Sequence, residues 1–171
     1  MPGATLKVVI SPPTRTKQPG RGFYQLEEDS LYVPIGAYSS DRRFFSSIES
    51  ETVRLDMDKN GELLFIEISL PRKKWKVEPT LAVPNHASPA DLRWLDFRAE
   101  FDSPPVFTNS DRSVVGVKFS PEEPAVAYRL AESVIAETTD KLHVCRLWII
   151  DIVDDVGGRE IAAFRKQHPA G

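Results

Sequence analysis

Val53-Arg54-Leu55-Asp56-Met57-Asp58-Lys59-Asn60-Gly61-Glu62-Leu63-Leu64-Phe65-Ile66-Glu67-Ile68 is the stretch that decides how this chain folds. Val53, Leu55 and Met57 alternate with Arg54, Asp56 and Asp58, and Leu64, Ile66 and Ile68 alternate again after Asn60-Gly61. Such period-two spacing turns one face of a strand to a core and the other to water. Asn-Gly between two alternating runs signals a two-residue hairpin turn in which both residues take positive φ. The stretch therefore reads as a β-hairpin over residues 53 to 68 turning at Asn60-Gly61.

The same spacing recurs along the chain. Leu6, Val8 and Ile10 read as a strand, as do Leu95, Phe97, Ala99 and Phe101, and then Val115, Val117 and Phe119. Leu147 to Ile152 is apolar at nearly every position, as in a strand covered on both faces. Ten of the 14 prolines fall at Pro12-Pro13, Pro71, Pro79 to Pro89, Pro104-Pro105 and Pro121 to Pro124, and mark the joints. Residues 121 to 137 carry two signals. Ser120-Pro121-Glu122-Glu123 has the form of a helix start, while Val126, Tyr128 and Leu130 alternate; the alternation favours strand. After Gly157-Gly158, Arg159 to Gln167 suits a short C-terminal helix.

The chain also reads as two halves. Glu51-Thr52-Val53, Asp58-Lys59 and the run from Leu63 to Ile68 parallel Glu132-Ser133-Val134, Asp140-Lys141 and Leu147 to Ile152, with the second loop three residues longer. Leu31-Tyr32-Val33 then faces Tyr128-Arg129-Leu130. The expectation is a single domain over 1–171, mostly β, sandwich or barrel-like. It holds two fused β-hairpin half-units, 1–78 and 90–155, joined near Pro79 to Pro89, with a tail at 156–171. Asp29-Ser30-Leu31-Tyr32-Val33 followed by the run from Val53 to Ile68 resembles a bacterial family of small β-rich domains of unknown function. That family's pattern is D-x-L-Y-I, then V-x-x-D-x-D-x-x-G-x-L-x-G-I-E-I. The resemblance covers residues 29–68, with a faint second copy at 126–152; Phe65 replaces the usual glycine, and the spacer from Gly36 to Ser50 is long. It implies a β-rich fold and brings no activity, cofactor or catalytic residue with it.

Composition narrows the classes. The chain of 171 residues is 41% hydrophobic, enough for a core without metals or disulfides. Twenty-two Lys and Arg against 25 Asp and Glu leave a formal charge of −3, so no overall field gathers nucleic acid or an anionic membrane. One cysteine, Cys145, allows no internal disulfide and points to a reducing, cytoplasmic setting. The longest apolar runs are too short to span a membrane as a helix.

Four groups of residues bear on chemistry. Arg72-Lys73-Lys74-Trp75-Lys76 joins cations to an aromatic, but alternation puts Trp75 and Val77 toward the core and Lys74 and Lys76 toward water, so nucleic-acid binding is not expected. His143 and Cys145 sit two apart, about 7 Å along a strand, too far for an imidazole to activate a thiol. Asp151, Asp154 and Asp155 with His168 read as turn residues before Gly157-Gly158 rather than as a metal site. No catalytic, cofactor-binding or metal-ligating residues are assigned and no cofactor is expected. The favoured reading is a non-catalytic soluble interaction or structural module, self-associating or meeting a protein partner through a strand edge or a patch at Phe44-Phe45. The alternative is a small enzyme or ligand-binding protein with a pocket between the halves, drawing on Tyr24, Tyr32, Arg42, Arg43, His86, His143 and Asp151.

The fourth group is Asp56 to Glu67, which satisfies the calcium-loop expression D-x-[DN]-x-[DN]-G-x5-E. A calcium loop needs a helix on either side, whereas strands flank this one. Asp56 and Asp58 then share a strand face while Glu67 lies on the partner strand, roughly 20 Å along at 3.3 Å per residue. Calorimetric titration with calcium is expected to show no tight site. A micromolar or tighter dissociation constant lost in both Asp56→Ala and Glu67→Ala would overturn this reading.

Overall fold

In the computed structural model, which describes residues 5–14, 18–36, 42–97 and 99–167, most of the alternating runs are strands. β1 (Val8–Ser11) opens the chain. Then β2 (Phe23–Gln25), β3 (Ser30–Pro34), β4 (Ser46–Glu49), β5 (Val53–Met57) and β6 (Leu63–Ile68) form an antiparallel array in the order β4-β5-β6-β3-β2. Three short strands, β7 (Lys76–Val77), β8 (Ser88–Pro89) and β10 (Ala99–Glu100), surround β9 (Asp91–Trp94) in the middle of the chain. A second array follows: β11 (Val106–Thr108), β12 (Val115–Lys118), β13 (Val126–Ala131), β14 (Val134–Thr138) and β15 (Val144–Ile149), in the matching order β13-β14-β15-β12-β11. β16 (Val153–Asp154) and a helix, α1 (Arg159–Gln167), complete it.

Each array is completed by strands from elsewhere. After β6 the chain crosses over and lays β7 parallel to β11, and after β15 it crosses back and lays β16 parallel to β2. β10 pairs with β4 and β8 with β13, again in parallel. The result is two seven-stranded open sheets, packed as a sandwich on one apolar core to which both contribute. Every outermost strand is two residues long, and one of them contains Pro89, which limits the backbone groups left for further strand pairing. β1 and β9 form a separate antiparallel ribbon whose Val8 and Trp94 enter the same core.

The two central hairpins superpose in register. Leu55 faces Ile66 as Ala136 faces Leu147, and Val53 faces Ile68 as Val134 faces Ile149. The ladder is irregular at the same place in both, between Asp56 and Met57 and between Glu137 and Thr138. Both loops have equal length, contrary to the three extra residues expected for the second. The difference arises because the apolar run from Leu147 to Ile152 continues three residues past the end of β15, whereas the run from Leu63 to Ile68 coincides with β6. β3 likewise corresponds to β12, which holds the same place beside β15 as β3 does beside β6, and not to Tyr128-Arg129-Leu130.

The turns themselves are not the two-residue type. The Asp58 N–H donates to Glu62 O at 3.0 Å, so Lys59-Asn60-Gly61 form the loop and only Gly61 has positive φ, +81°. This is the three-residue hairpin with a left-handed third residue. A side chain selects it: one carboxylate oxygen of Asp58 accepts the N–H groups of Asn60 (2.9 Å) and Glu62 (3.0 Å). Thr139 Oγ1 does the same for Lys141 and His143, with Leu142 left-handed at φ +59°. The ribbon hangs from both loops, Trp94 N–H donating to Gly61 O and Val8 N–H to Leu142 O.

Three further expectations change. Residues 95 to 101 are not one strand, since β9 ends at Trp94, Leu95 is exposed, and only Ala99–Glu100 pair again. Arg72–Lys74 form a 3-10 turn, so Trp75 is buried while Val77, on an edge, is exposed. Asp56 and Asp58 do not share a face, because the ladder irregularity intervenes and Asp58 is turned into its own loop, and Glu67, paired with Arg54, lies two ladder positions from Asp56 rather than roughly 20 Å along. Residues 126–131 and 134–138 are strands of one hairpin, as alternation favoured over the helix signal; Ser120 Oγ instead accepts the Glu122 N–H in a local turn.

Asp58→Ala leaves two loop N–H groups without their acceptor at a nearly inaccessible position. It is expected to cost about 1–3 kcal/mol in denaturant unfolding. An unchanged midpoint would show that the carboxylate does not hold the loop.

Candidate functional site

The outer faces of the two sheets differ, and the difference makes the site. Across the second sheet, Lys76, Phe107, Gly116, Trp148 and Ile135 lie in one row of paired residues. The equivalent row of the first sheet is Val153, Phe23, Tyr32, Glu67 and Arg54. Gly116 therefore stands where the first sheet has Tyr32. Tyr32 is buried, stacks on Phe65 with ring centres 5.6 Å apart, and is overlaid by Arg165 of α1, which also reaches Glu28 at 3.3 Å. In the second sheet the benzo ring of Trp148 lies over Gly116; a Cβ there would come within 2.6 Å of it, so a larger residue would evict the indole. The Trp148 Nε1–H donates to the Glu137 carboxylate at 2.6 Å, which fixes the ring.

Beside Trp148 opens a groove of about 200 Å³. Its floor and one wall are Phe107, Gly116, Lys118, Arg146 and Trp148, from β11, β12 and β15. The other wall is the segment after β7, with Glu78, Thr80, Leu81 and Ala82. Glu78 N–H donates to Thr108 O, and Leu81 N–H to Glu78 O, so that wall is tied to the sheet edge. Lys118 and Arg146 are directly paired across β12 and β15, two residues along from the Gly116–Trp148 pair, and so point to the same face. Both are half-buried, and among the described residues neither takes part in a salt bridge. Lys76 lies 5.8 Å over the Phe107 ring and 3.7 Å from Glu78.

The residues singled out from sequence are scattered. Tyr24 is a core residue, edge-on to Trp75, whose hydroxyl accepts the Arg72 N–H (3.0 Å) and donates to Asp29 (3.2 Å); burial pushes its pKa up. Arg42 is buried, donating to Ile35 O and Leu63 O, and Arg43 and His86 are exposed. His143 lies beside Glu122 at 3.6 Å, and Asp151 is exposed with φ +53°. Of the acidic trio, Asp154 pairs with Arg72 at 2.6 Å and Asp155 accepts the Glu160 N–H at the start of α1, while His168 lies outside the described residues. Arg72 also lies 4.4 Å over Tyr24, so the foremost cation of the basic run is engaged within the fold. Of the Phe44-Phe45 pair, Phe45 meets Phe97 edge-on and Phe44 lies beneath Arg54. Arg54 also bonds Asp56 at 2.7 Å, though burial still leaves the Asp56 carboxyl above its usual pKa.

None of the groove residues was singled out from sequence. The available signal was Gly116, an isolated glycine inside a strand pattern, which marks a close approach by another group. No protein-family model matches the chain, and no curated protein matches it as a relative.

Cys145 is buried, its Sγ donating to the Glu137 carbonyl at 3.3 Å, and burial, with Glu137 second, raises its thiol pKa. A raised folded pKa means the proton is held more tightly in the fold than in the open chain. The associated stability is present below the open-chain pKa and is lost as pH rises through the folded one. Alkylation by iodoacetamide is therefore expected to be far slower than for a free thiol at pH 8, and to accelerate on denaturation. Reaction at the free-thiol rate in the folded protein would contradict this placement.

Proposed function

We propose that the protein is a non-catalytic binding module in which the sandwich is a rigid frame and the groove on the outer face of the second sheet receives a ligand. The observation that carries this reading is the pair Lys118 and Arg146, half-buried beside two aromatic side chains and without a salt bridge among the described residues. Arg146 also faces Glu137 across β14 and β15, so the partly desolvated pair keeps a small positive surplus on the groove side that an arriving anion would take up. Rigid aromatic walls with a few convergent polar groups are the usual make-up of a ligand pocket. The residues with chemical potential elsewhere support the non-catalytic part, since Asp58, Asp154, Asp155, Arg72 and Tyr24 each hold up a turn, a helix start or a chain crossing.

The test is a screen of small fragments read by nuclear magnetic resonance, with the indole N–H signals of Trp75 and Trp94 as internal references. Binders are expected to move the Trp148 indole and Gly116 amide signals, and to lose their effect when Lys118 and Arg146 are both changed to Ala. Hits that leave Trp148 unmoved, or that persist in the double variant, would refute the groove as the functional site.

A further inference from the structure

Building on that reading, we infer that the ligand class taken by the groove is a small planar aromatic monocarboxylate. Size comes first. About 200 Å³ falls below the ~300–1,000 Å³ of pockets for drug-sized ligands, which suits one ring with a short polar head.

Shape follows from the sheet. Phe107, Gly116 and Trp148 are consecutive in one row, and the Trp148 indole leans over Gly116, where a side chain would displace it. The indole, held by its bond to Glu137, and the Phe107 ring thereby line the groove with aromatic surface. A flat ring can lay its face or edge against such surface along its whole area, whereas a puckered ring of equal carbon count meets less of it. Leu81 and Ala82 close the far wall with apolar surface.

Charge fixes the head group. Lys118 and Arg146 lie two residues from the aromatic row, roughly 7 Å along the strands, which is the reach of a single ring bearing its carboxylate directly. The planar fork of Arg146 matches a carboxylate, with Lys118 as a point charge beside it. Glu78 on the opposite wall and Glu137, which the ladder sets directly across from Arg146, leave little positive charge to spare, so a dianion such as a phosphate monoester would set its second charge against them.

The first sheet shows why there is one such groove. Its equivalent position is filled by Tyr32, and the residue matching Arg146 in the pairing is Phe65, stacked against that tyrosine. Where the slot is occupied by the chain's own ring, the guanidinium over it comes from Arg165 of α1. In the second sheet the Trp148 indole leans over that position, while Arg146, standing where the first sheet has Phe65, has no ring of the chain stacked on its guanidinium among the described residues.

The experiment titrates the full chain with benzoate, and in parallel with benzamide, cyclohexanecarboxylate, acetate and phenyl phosphate, following the Trp148 indole and Gly116 amide signals. Benzoate is expected to saturate, with each of the other four at least fivefold weaker. Arg146→Ala and Lys118→Ala are each expected to weaken benzoate at least fivefold, and Arg146→Lys less than Arg146→Ala, with unfolding midpoints recorded to show that the variants are folded. Equal binding of benzamide removes the carboxylate from the inference, equal binding of cyclohexanecarboxylate or acetate removes the planar ring, and tighter binding of phenyl phosphate removes the monoanion. Other fragments in the groove with none from benzoate overturn this ligand class and leave the binding module standing; no ligand of any kind there overturns both.

Discussion

Neither sheet can hide its inner face without the other. Leu55, Ile66 and Ile68 of the first and Val134, Leu147 and Ile149 of the second have essentially no accessible surface, and they belong to one continuous cluster. Each such side chain is worth about 1.5–3 kcal/mol when fully buried, so separating the sheets would expose far more than a domain's net stability. Everything else is arranged around that contact. The crossovers that place β7 on the second sheet and β16 on the first pin the layers together at their edges, and the ribbon of β1 and β9 is fastened to both hairpin loops.

Because both inner faces are committed, the two units are free to differ only on the outside. They do so at a few positions within a shared frame: Tyr32 against Gly116, Phe65 against Arg146, Glu67 against Trp148. In the first unit the outer face is covered by its own aromatic pair and by Arg165 of the helix. In the second, removing one side chain lets an indole lie flat on the backbone and leaves a recess beside it. A functional surface thus arises from an exchange that costs the core nothing.

The β-rich sandwich was legible because alternation is a local pattern, and the hairpin over residues 53 to 68 carries it on both arms. What escaped is physically instructive. The turn type was set by the Asp58 carboxylate catching two N–H groups, a choice that Asn60-Gly61 alone does not reveal. The strand through Leu95 to Phe101 failed because β9 is anchored at Trp94, whose ring enters the core and whose N–H is tied to Gly61 O in the first hairpin loop, and alternation carries no sign of that anchoring. The correspondence of β3 with β12 was hidden because Tyr32 and Gly116 have nothing chemical in common, although they occupy one position. The groove was least legible of all. It draws on segments running from Glu78 to Trp148 that only the sheet brings together, and its central feature is the absence of a side chain.

The reciprocal crossovers bear on the order in which the molecule can be built during synthesis. When the first array has emerged, up to Ile68, its β2 edge still lacks β16 and its β4 edge still lacks β10, segments that lie some thirty to eighty residues downstream. Its inner face has nothing to rest on until β14 and β15 arrive, and its last edge is closed only by Val153 and Asp154. Contacts this distant in the chain are slow to form, and unpaired edges and bare apolar faces are what nascent chains misassemble through. The first half must therefore wait on the ribosome in an unfinished form, and the shortness of its bare edges, three residues in β2 and four in β4, limits the damage that waiting can do.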